Sequence, residues 1–318
     1  MDESYTPDPG QVSLMPDVSG NTMNGVGEDD VRRPTPIYWH DPDTLPHGPL
    51  MRWYWAKNSD PEVLASRDRV FEILAQPLPE IAPGRVERSA ADWTAAIKDA
   101  ALSLHADQVG ITALRPEWVF DGYDIPYRWI IVLAVRMDYE PLSQAPGPVT
   151  SVEVMDKYGE GARAAKALAG WIRDRGWDAL PHGGPQSGPV LLIPHAIEAG
   201  LGELGKHGSM ISREFGSSFR LSCVMTDLPL IPDAAAPFGA DDFCRACRVC
   251  EQACPPVATA PDKQRVRGET KWYVDFDKCV LYFNENESCG ICLAVCPWSR
   301  PGVAPRLAEK MARRREAG

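Results

Sequence analysis

The chain has 318 residues, 44% hydrophobic and 24% charged, enough for one large domain or two smaller ones with real cores. Its formal net charge of −11 argues against nucleic acid as a main partner, because phosphate binding draws on clustered Lys and Arg. No apolar run approaches the ~20 residues that span a bilayer, so no membrane insertion is expected. Arg32 and Arg33 are followed by Pro34, Thr35 and Pro36 rather than by the apolar stretch of an export signal, and a cytoplasmic protein is the plain reading.

Residues 1–35 are rich in Asp, Pro, Gly, Ser and Asn, which predicts a disordered or loosely packed segment. Pro34–Trp55 is aromatic and proline-rich, with Tyr38, Trp39, Trp53, Tyr54 and Trp55; it can line or cover a cavity, or simply pack as a long arm. Ser59, Asp60, Pro61 and Glu62 form a helix-start signal for a helix to about Ala75. Ser89 and Asp92 open another, with Trp93, Ile97, Ala100, Ala101 and Leu104 on one face. Val109–Ala113 and Trp129–Val135 are apolar, partly β-branched runs of strand length. Tyr158 is expected to precede a helix whose apolar face is Ala165, Leu168, Ala169 and Ile172, stopped at Gly176. Val190–Ile193 reads as a strand ended by Pro194, and Leu221–Thr226 as a further strand. This alternation predicts an α/β or α+β core over residues 36–230. Residues 231–241 read as a linker, 242–302 as a second module, and 303–318 as a tail whose basic run Lys310–Arg315 is a solvated helix end.

Gly200, Gly202 and Gly205 match G-x-G-x-x-G, and Asp227 follows at a strand end. A dinucleotide site needs a strand running straight into the first glycine, and here the helical-looking stretch Pro194–Ala199 intervenes. The Rossmann reading is rejected on that ground.

Eight of the nine cysteines fall in two spaced groups. Cys244, Cys247, Cys250 and Cys254 read C-x2-C-x2-C-x3-C before Pro255; Cys279, Cys289, Cys292 and Cys296 read C-x9-C-x2-C-x3-C before Pro297. A tetranuclear cluster needs four converging thiolates, and in two-cluster proteins the fourth Cys of each run serves the other cluster. The rule assigns Cys244, Cys247, Cys250 and Cys296 to one [4Fe-4S] cluster, and Cys254, Cys279, Cys289 and Cys292 to the other. Zinc knuckles fit two C-x3-C-P endings poorly. The ninth, Cys223, lies in the apolar run Leu221–Met225 and reads as a buried core thiol. Reduced thiols and cluster assembly suit a cytoplasmic location.

Longer strings resemble a known family. Ile193-Pro-His-Ala-Ile-Glu-Ala-Gly-Leu-Gly-Glu-Leu-Gly-Lys-His-Gly-Ser209, continuing to Arg220, and Val224-Met-Thr-Asp-Leu-Pro-Leu230 resemble the cobalamin- and iron–sulfur-dependent reductive dehalogenases. So do Lys271–Cys279 and Cys289–Gly302; the resemblance covers about residues 155–302, with epoxyqueuosine reductases as more distant relatives. It implies an α+β protein: a nitroreductase-like cobalamin-binding α/β domain followed by a two-cluster bacterial ferredoxin-like domain. The implied cofactors are cobalamin, held without a lower protein ligand, and two [4Fe-4S] clusters that pass electrons to it from a donor protein such as a ferredoxin or flavoprotein. The implied substrate is a small organohalide. By position, Tyr158 corresponds to the family's proton-donating Tyr and Arg220 to its pocket cation. A phenol is a poor acid alone, and a neighbouring guanidinium stabilises the phenolate it leaves.

In this setting Gly200, Gly202, Gly205 and Lys206 are expected to touch the corrinoid, small residues allowing close backbone approach. No context of a lower ligand surrounds His182, His195 or His207, and a hydrogen-bonded structural role is expected of each. The chain departs from the family in Gly183–Pro189, where Gln186 or Ser187 replaces a polar pocket contact; Gln186, a neutral amide, stands where epoxyqueuosine reductases use an acid. Two other readings stay open: a reductase of the same architecture acting on a non-halogenated molecule, and an iron–sulfur electron-transfer protein without corrinoid.

Overall fold

The structure is a computed structural model that describes residues 5–186 and 188–316. Residues 5–35 carry two single-turn helices, α1 (Pro9–Val12) and α2 (Gly20–Met23), each with a side-chain cap, from Asp8 and from Ser19. α3 (Gly48–Lys57) buries Leu50, Met51 and Tyr54. α4 (Pro61–Ala75) starts as expected, with Asp60 accepting from the amides of Glu62 and Val63 at 2.9 and 3.2 Å and Pro61 at the first position. α5 (Ala90–Ser103) is capped by Ser89, which accepts from the Asp92 amide at 3.1 Å and donates to its carboxylate at 2.7 Å.

The sheet follows. β1 (Gln108–Ala113) pairs with β2 (Trp129–Arg136), which pairs with a later strand, β6; β3 (Ala179–His182) closes the order β1-β2-β6-β3, every pairing antiparallel. A short helix, α6 (Tyr139–Leu142), leads into α7 (Pro148–Arg173), which crosses the sheet. β2 reads as one continuous apolar run because both its faces are covered. Ile131 and Leu133 join Trp93, Ile97, Leu168 and Ile172 beneath α5 and α7. Ile130, Val132 and Ala134 join Cys223, Met225 and Ala196 on the other face, beneath α8 (Leu192–Glu198). Small residues on α7, Ala162, Ala165 and Ala169, are fully buried and bring its backbone close to the strands. A ribbon of β4 (Glu203–Leu204) and β5 (Met210–Ile211) precedes β6 (Phe219–Thr226).

The cysteine-bearing module contains α9 (Ala240–Ala246), α10 (Val249–Gln252), a hairpin of β7 (Gln264–Val266) and β8 (Glu269–Lys271), α11 (Phe276–Glu285) and α12 (Ile291–Ala294), and ends in α13 (Val303–Glu316). Ala304, Ala308 and Met311 of α13 pack with Phe238, Trp272 and Trp298 in one core. Among the described residues no helix is long and apolar enough to cross a membrane.

Several expectations are corrected. Residues 1–4 lie outside the described residues, but 5–35 are not loose: Tyr5 and Gln11 bind Glu285 of α11 at 2.9 and 2.7 Å, and Ser19 binds Asp277 at 2.5 Å. Composition could not show this, because the order comes from polar contacts to a distant helix. Tyr158 does not precede its helix but sits inside α7, which begins at Pro148. Val190–Ile193 is not a strand; only Val190 bridges, to Val119, and α8 begins at Leu192. The stretch 231–241 is not a free linker at its end. The Glu203 carboxylate accepts from the amides of Phe238, Gly239 and Ala240 at 2.6, 2.7 and 2.9 Å, pinning the start of α9 to the first domain. Residues 303–316 are a packed helix rather than a tail, with Lys310 and Arg313–Arg315 exposed as expected.

Gly216 joins the two domains by close contact. Its φ is +58°, and a Cβ there would overlap the Trp298 carbonyl. Gly216→Ala is expected to cost about 2 kcal/mol or more, from left-handed strain plus overpacking. Thermal melting checks this; a midpoint equal to that of the unsubstituted protein would contradict the contact's importance.

Candidate functional site

Between the sheet domain and the cysteine module lies a cavity of about 960 Å³. α7 contributes Val154, Met155 and Tyr158, β6 contributes Arg220, and α8 contributes Ile193, Pro194 and Ile197. The opposite wall is Phe283, Cys279, Cys289 and Cys292 from the module. A volume at the upper end of what ligand sites reach, with an apolar wall and few polar groups, suits a large, flat, mostly apolar ligand.

The structure brings Tyr158 and Arg220 together. The guanidinium lies over the phenol ring, 5.2 Å from its centroid, within cation–π range. Arg220 donates from Nη1 to the Phe219 carbonyl at 3.1 Å, while its buried Nε has no partner among the described residues. Among the described residues Arg220 forms no ion pair with the nearby acids Asp227 and Glu214. Asp227 instead accepts from the Arg128 amide at 2.8 Å.

The glycine string does not face the cavity. A Cβ on Gly200 would sit 2.6 Å from the Ala234 carbonyl, one on Gly202 would overlap the Ile211 carbonyl, and one on Gly205 would meet the His207 ring at 2.6 Å. These glycines are needed for approach to the protein's own backbone and side chains, which sequence cannot distinguish from approach to a cofactor. Lys206 is also placed elsewhere. It is 2% exposed, its ammonium lies 3.7 Å from Glu251 and 5.0 Å from the Trp272 centroid, and it lines a small space among cysteines. The residues of this stretch that do reach the cavity are Leu204, His207, Gly208 and Ser209.

The three histidines are engaged or buried. His195 is fully buried, its Nδ1 2.6 Å from the Leu191 carbonyl and its Nε2 accepting from the Arg115 amide at 3.2 Å. His207 lies on the cavity wall, with Nε2 2.8 Å from the Ser217 hydroxyl and Nδ1 accepting from the Ser209 amide at 3.1 Å. Burial pushes His182, His195 and His207 down to about 4, so each is neutral near pH 7. With both ring nitrogens engaged, His207 offers no free lone pair to the cavity.

Cys244, Cys247, Cys250 and Cys296 line one small space together with Lys206 and Trp298. Burial, then repulsion from Cys296 and Cys247, pushes the Cys250 thiol up to about 12. Burial, then Cys289 and Cys254, does the same to Cys279, and Cys292 is raised well above the ordinary thiol range by burial and by Cys279 and Cys289. Such thiols ionise only when a metal takes the proton's place. Among the described residues no three donors converge tightly enough for a single ion; the thiols surround spaces rather than points. Cys223 is fully buried in the sheet core, away from both sets.

A second cavity, of about 310 Å³, shares Trp39, Met155 and Pro185 with the first and is otherwise lined by α3 and α4 residues and Gln186. Ser187 lies outside the described residues. Of the aromatic arm, Trp39 and Trp55 line cavity walls, whereas Tyr38 is buried and donates to Asn284 at 2.8 Å. Sequence reasoning named Tyr54 as a possible cavity-lining aromatic but missed α3, the helix that carries it, and Asn58 at that helix's end.

Residues 243–299 match the 4Fe-4S dicluster domain family. The chain is 34% identical over 205 residues to a tetrachloroethene reductive dehalogenase of Desulfitobacterium hafniense, an alignment covering 60% of this chain and 36% of that protein. It is 33% identical over 130 residues to an epoxyqueuosine reductase of Leadbetterella byssophila, covering 36% and 38%. A solved catabolic reductive dehalogenase, in complex with 3-bromo-4-hydroxybenzoic acid, superposes with a TM-score of 0.76 at 25% identity, covering 96% of this chain and 47% of that one. The chain thus spans under half the length of these relatives. It is reductive dehalogenase-like in sequence and in fold, an α+β domain followed by a ferredoxin-like 4Fe-4S dicluster domain.

Proposed function

We propose that this chain carries the reaction centre of a cytoplasmic cobalamin-dependent reductive dehalogenase, fed by electrons through two [4Fe-4S] clusters. One observation carries the reading: Tyr158 and Arg220 are stacked on one wall of a 960 Å³ cavity whose other wall presents Cys279, Cys289 and Cys292. The residues fit a corrinoid. The cavity is large and apolar, and His207, the histidine on its wall, has both nitrogens engaged, so the cobalt would carry no protein ligand from it.

When bound, the corrinoid supplies a low-valent metal able to deliver two electrons to a carbon–halogen bond. The net change is R–X + 2e⁻ + H⁺ → R–H + X⁻. Tyr158 supplies the proton from its phenol oxygen. Arg220, over the ring, holds the negative charge that remains and offers N–H donors to the departing halide. Val154, Met155, Ile193 and Ile197 exclude water, so protonation is left to a placed donor. The cluster ligands are Cys244, Cys247, Cys250 and Cys296 in one set, and Cys254, Cys279, Cys289 and Cys292 in the other. A small organohalide is the proposed substrate. The cytoplasm is proposed because all eight thiols must be assembled reduced.

The test is anaerobic reconstitution with iron, sulfide and cobalamin, followed by corrinoid analysis and halide release from halogenated phenols and alkanes with reduced methyl viologen. Stoichiometric corrinoid and released halide are expected. Corrinoid without halide from any of them would shift the reading to a non-halogenated substrate, and a reducible protein that binds no corrinoid would make it an electron-transfer protein.

A further inference from the structure

We propose that the groove between α9 and α13 docks an acidic one-electron carrier protein of the ferredoxin type. This rests on the reading that the two cysteine sets hold clusters. Cys279, Cys289 and Cys292 face the internal cavity, so the set built on Cys244, Cys247 and Cys250 is the outer one. An open groove of about 550 Å³ lies on its outer side. Phe243, Cys247 and Pro297 line both this groove and the small space among the outer thiols. A partner seated in the groove is therefore one layer of side chains from the outer cluster.

The groove's chemistry names the partner. Its floor is apolar, with Val249 38% exposed beside Ala246 and Met311. Its rim is cationic. Arg314 and Arg315 line it together with one acid, Asp242, and Arg245 and Arg248 flank it with side chains 64% and 61% exposed. Asp241, Asp242 and Glu251 answer Arg245, Arg315 and Arg248, but Lys310, Arg313 and Arg314 on exposed turns of α13, against one exposed acid there, Glu309, add further positive charge. This face is basic on a chain whose formal net charge is −11. An acidic carrier is repelled by the net charge of the molecule and attracted to this face, beside the outer thiols. The step moves one electron from the carrier's reduced iron–sulfur centre to the oxidised outer cluster; no bond breaks and no proton moves.

The probe is a purified acidic plant-type [2Fe-2S] ferredoxin, reduced and mixed by stopped flow with the fully loaded protein. Bleaching of the protein's clusters is followed directly, so the reading does not depend on dehalogenation or on corrinoid. The Arg314→Glu/Arg315→Glu variant is expected to lower the second-order rate ~10-fold at low salt, with the difference closing as salt rises. Val249→Asp, on the exposed floor, is expected to slow it as well. Lys57→Glu, on α3, should leave it unchanged, and reduced methyl viologen should reduce all four proteins equally. Iron content matching the unsubstituted protein shows each variant to be loaded. Equal ferredoxin rates for the double variant and Lys57→Glu would overturn the proposal. So would a sedimentation change in the double variant with no change in ferredoxin rate, which would assign the groove to a second copy of this chain. A loaded protein that halogenated substrates leave unturned, yet whose clusters ferredoxin reduces with this salt dependence, would sink the dehalogenase reading and leave the docking face standing.

Discussion

Replacing Tyr158 by Phe is expected to lower dehalogenation ~10²–10⁴-fold, the range for a lost general acid, equivalent to roughly 3–5 kcal/mol of barrier. The change removes one oxygen and keeps the ring over which Arg220 lies at 5.2 Å, so the cavity wall stays in place and iron and corrinoid content should not change. The loss should fall on kcat, because the proton is needed when carbon takes up the electrons rather than when substrate enters. Arg220 gives the companion result. Arg220→Lys keeps a positive charge but loses the planar face that stacks on the phenol, so it should retain more activity than Arg220→Ala and less than the native residue. If Tyr158→Phe turns over as fast as the unsubstituted protein, the proton has another source and the assignment fails.

The second large effect is crossed. Cys296 follows Cys292 in sequence but stands with Cys244, Cys247 and Cys250 in space. Cys254 belongs to the earlier run, yet its charge is felt at Cys279, Cys289 and Cys292. Cys296→Ala should therefore remove the cluster of the first sequence group, and Cys254→Ala that of the second. Each should lower iron from about eight to about four atoms per chain. Electron paramagnetic resonance of the reduced variants reads which signal survives. If Cys296→Ala spared the signal that Cys250→Ala removes, the ligand sets would not be interlocked. Zinc in place of iron, with no charge-transfer absorbance, would end the cluster reading altogether.

Local rules located much of the scaffold. Asp60 and Ser89 capped their helices where the sequence placed them, because a cap is decided within a few residues. β2 was visible as an unbroken apolar run because it is covered on both faces. The start of α7 was not visible. Its cap position is Gly147, with no side-chain cap bond, and glycines at 159 and 161 follow Tyr158, where the helix was expected to begin. Those glycines are buried, Gly161 lying against Ser222 of β6, so their small size serves packing rather than helix termination. In the glycine string the residue type was informative and the partner was not. Gly202 needs room for Ile211, a relation set by the β4–β5 ribbon that no spacing rule encodes. Lys206 likewise gave no sign in sequence that it would turn toward the outer thiols.

The arm over residues 5–38 has a consequence for the order in which the molecule is completed. Tyr5, Gln11, Ser19 and Asn21 reach partners 280, 274, 258 and 254 positions further along the chain. Most of those partners lie on α11, the helix that also carries Cys279. The loops these contacts close are nearly as long as the polypeptide, so their entropy is met only after the intervening structure exists. α11 in turn is tied to ligand Cys279, whose thiol is buried and reluctant to ionise without metal. The arm over residues 5–38 is then among the last parts of this chain to be fixed, docking on α11 once the helix that carries Cys279 is itself held. Order in the arm therefore depends on order in the cysteine module.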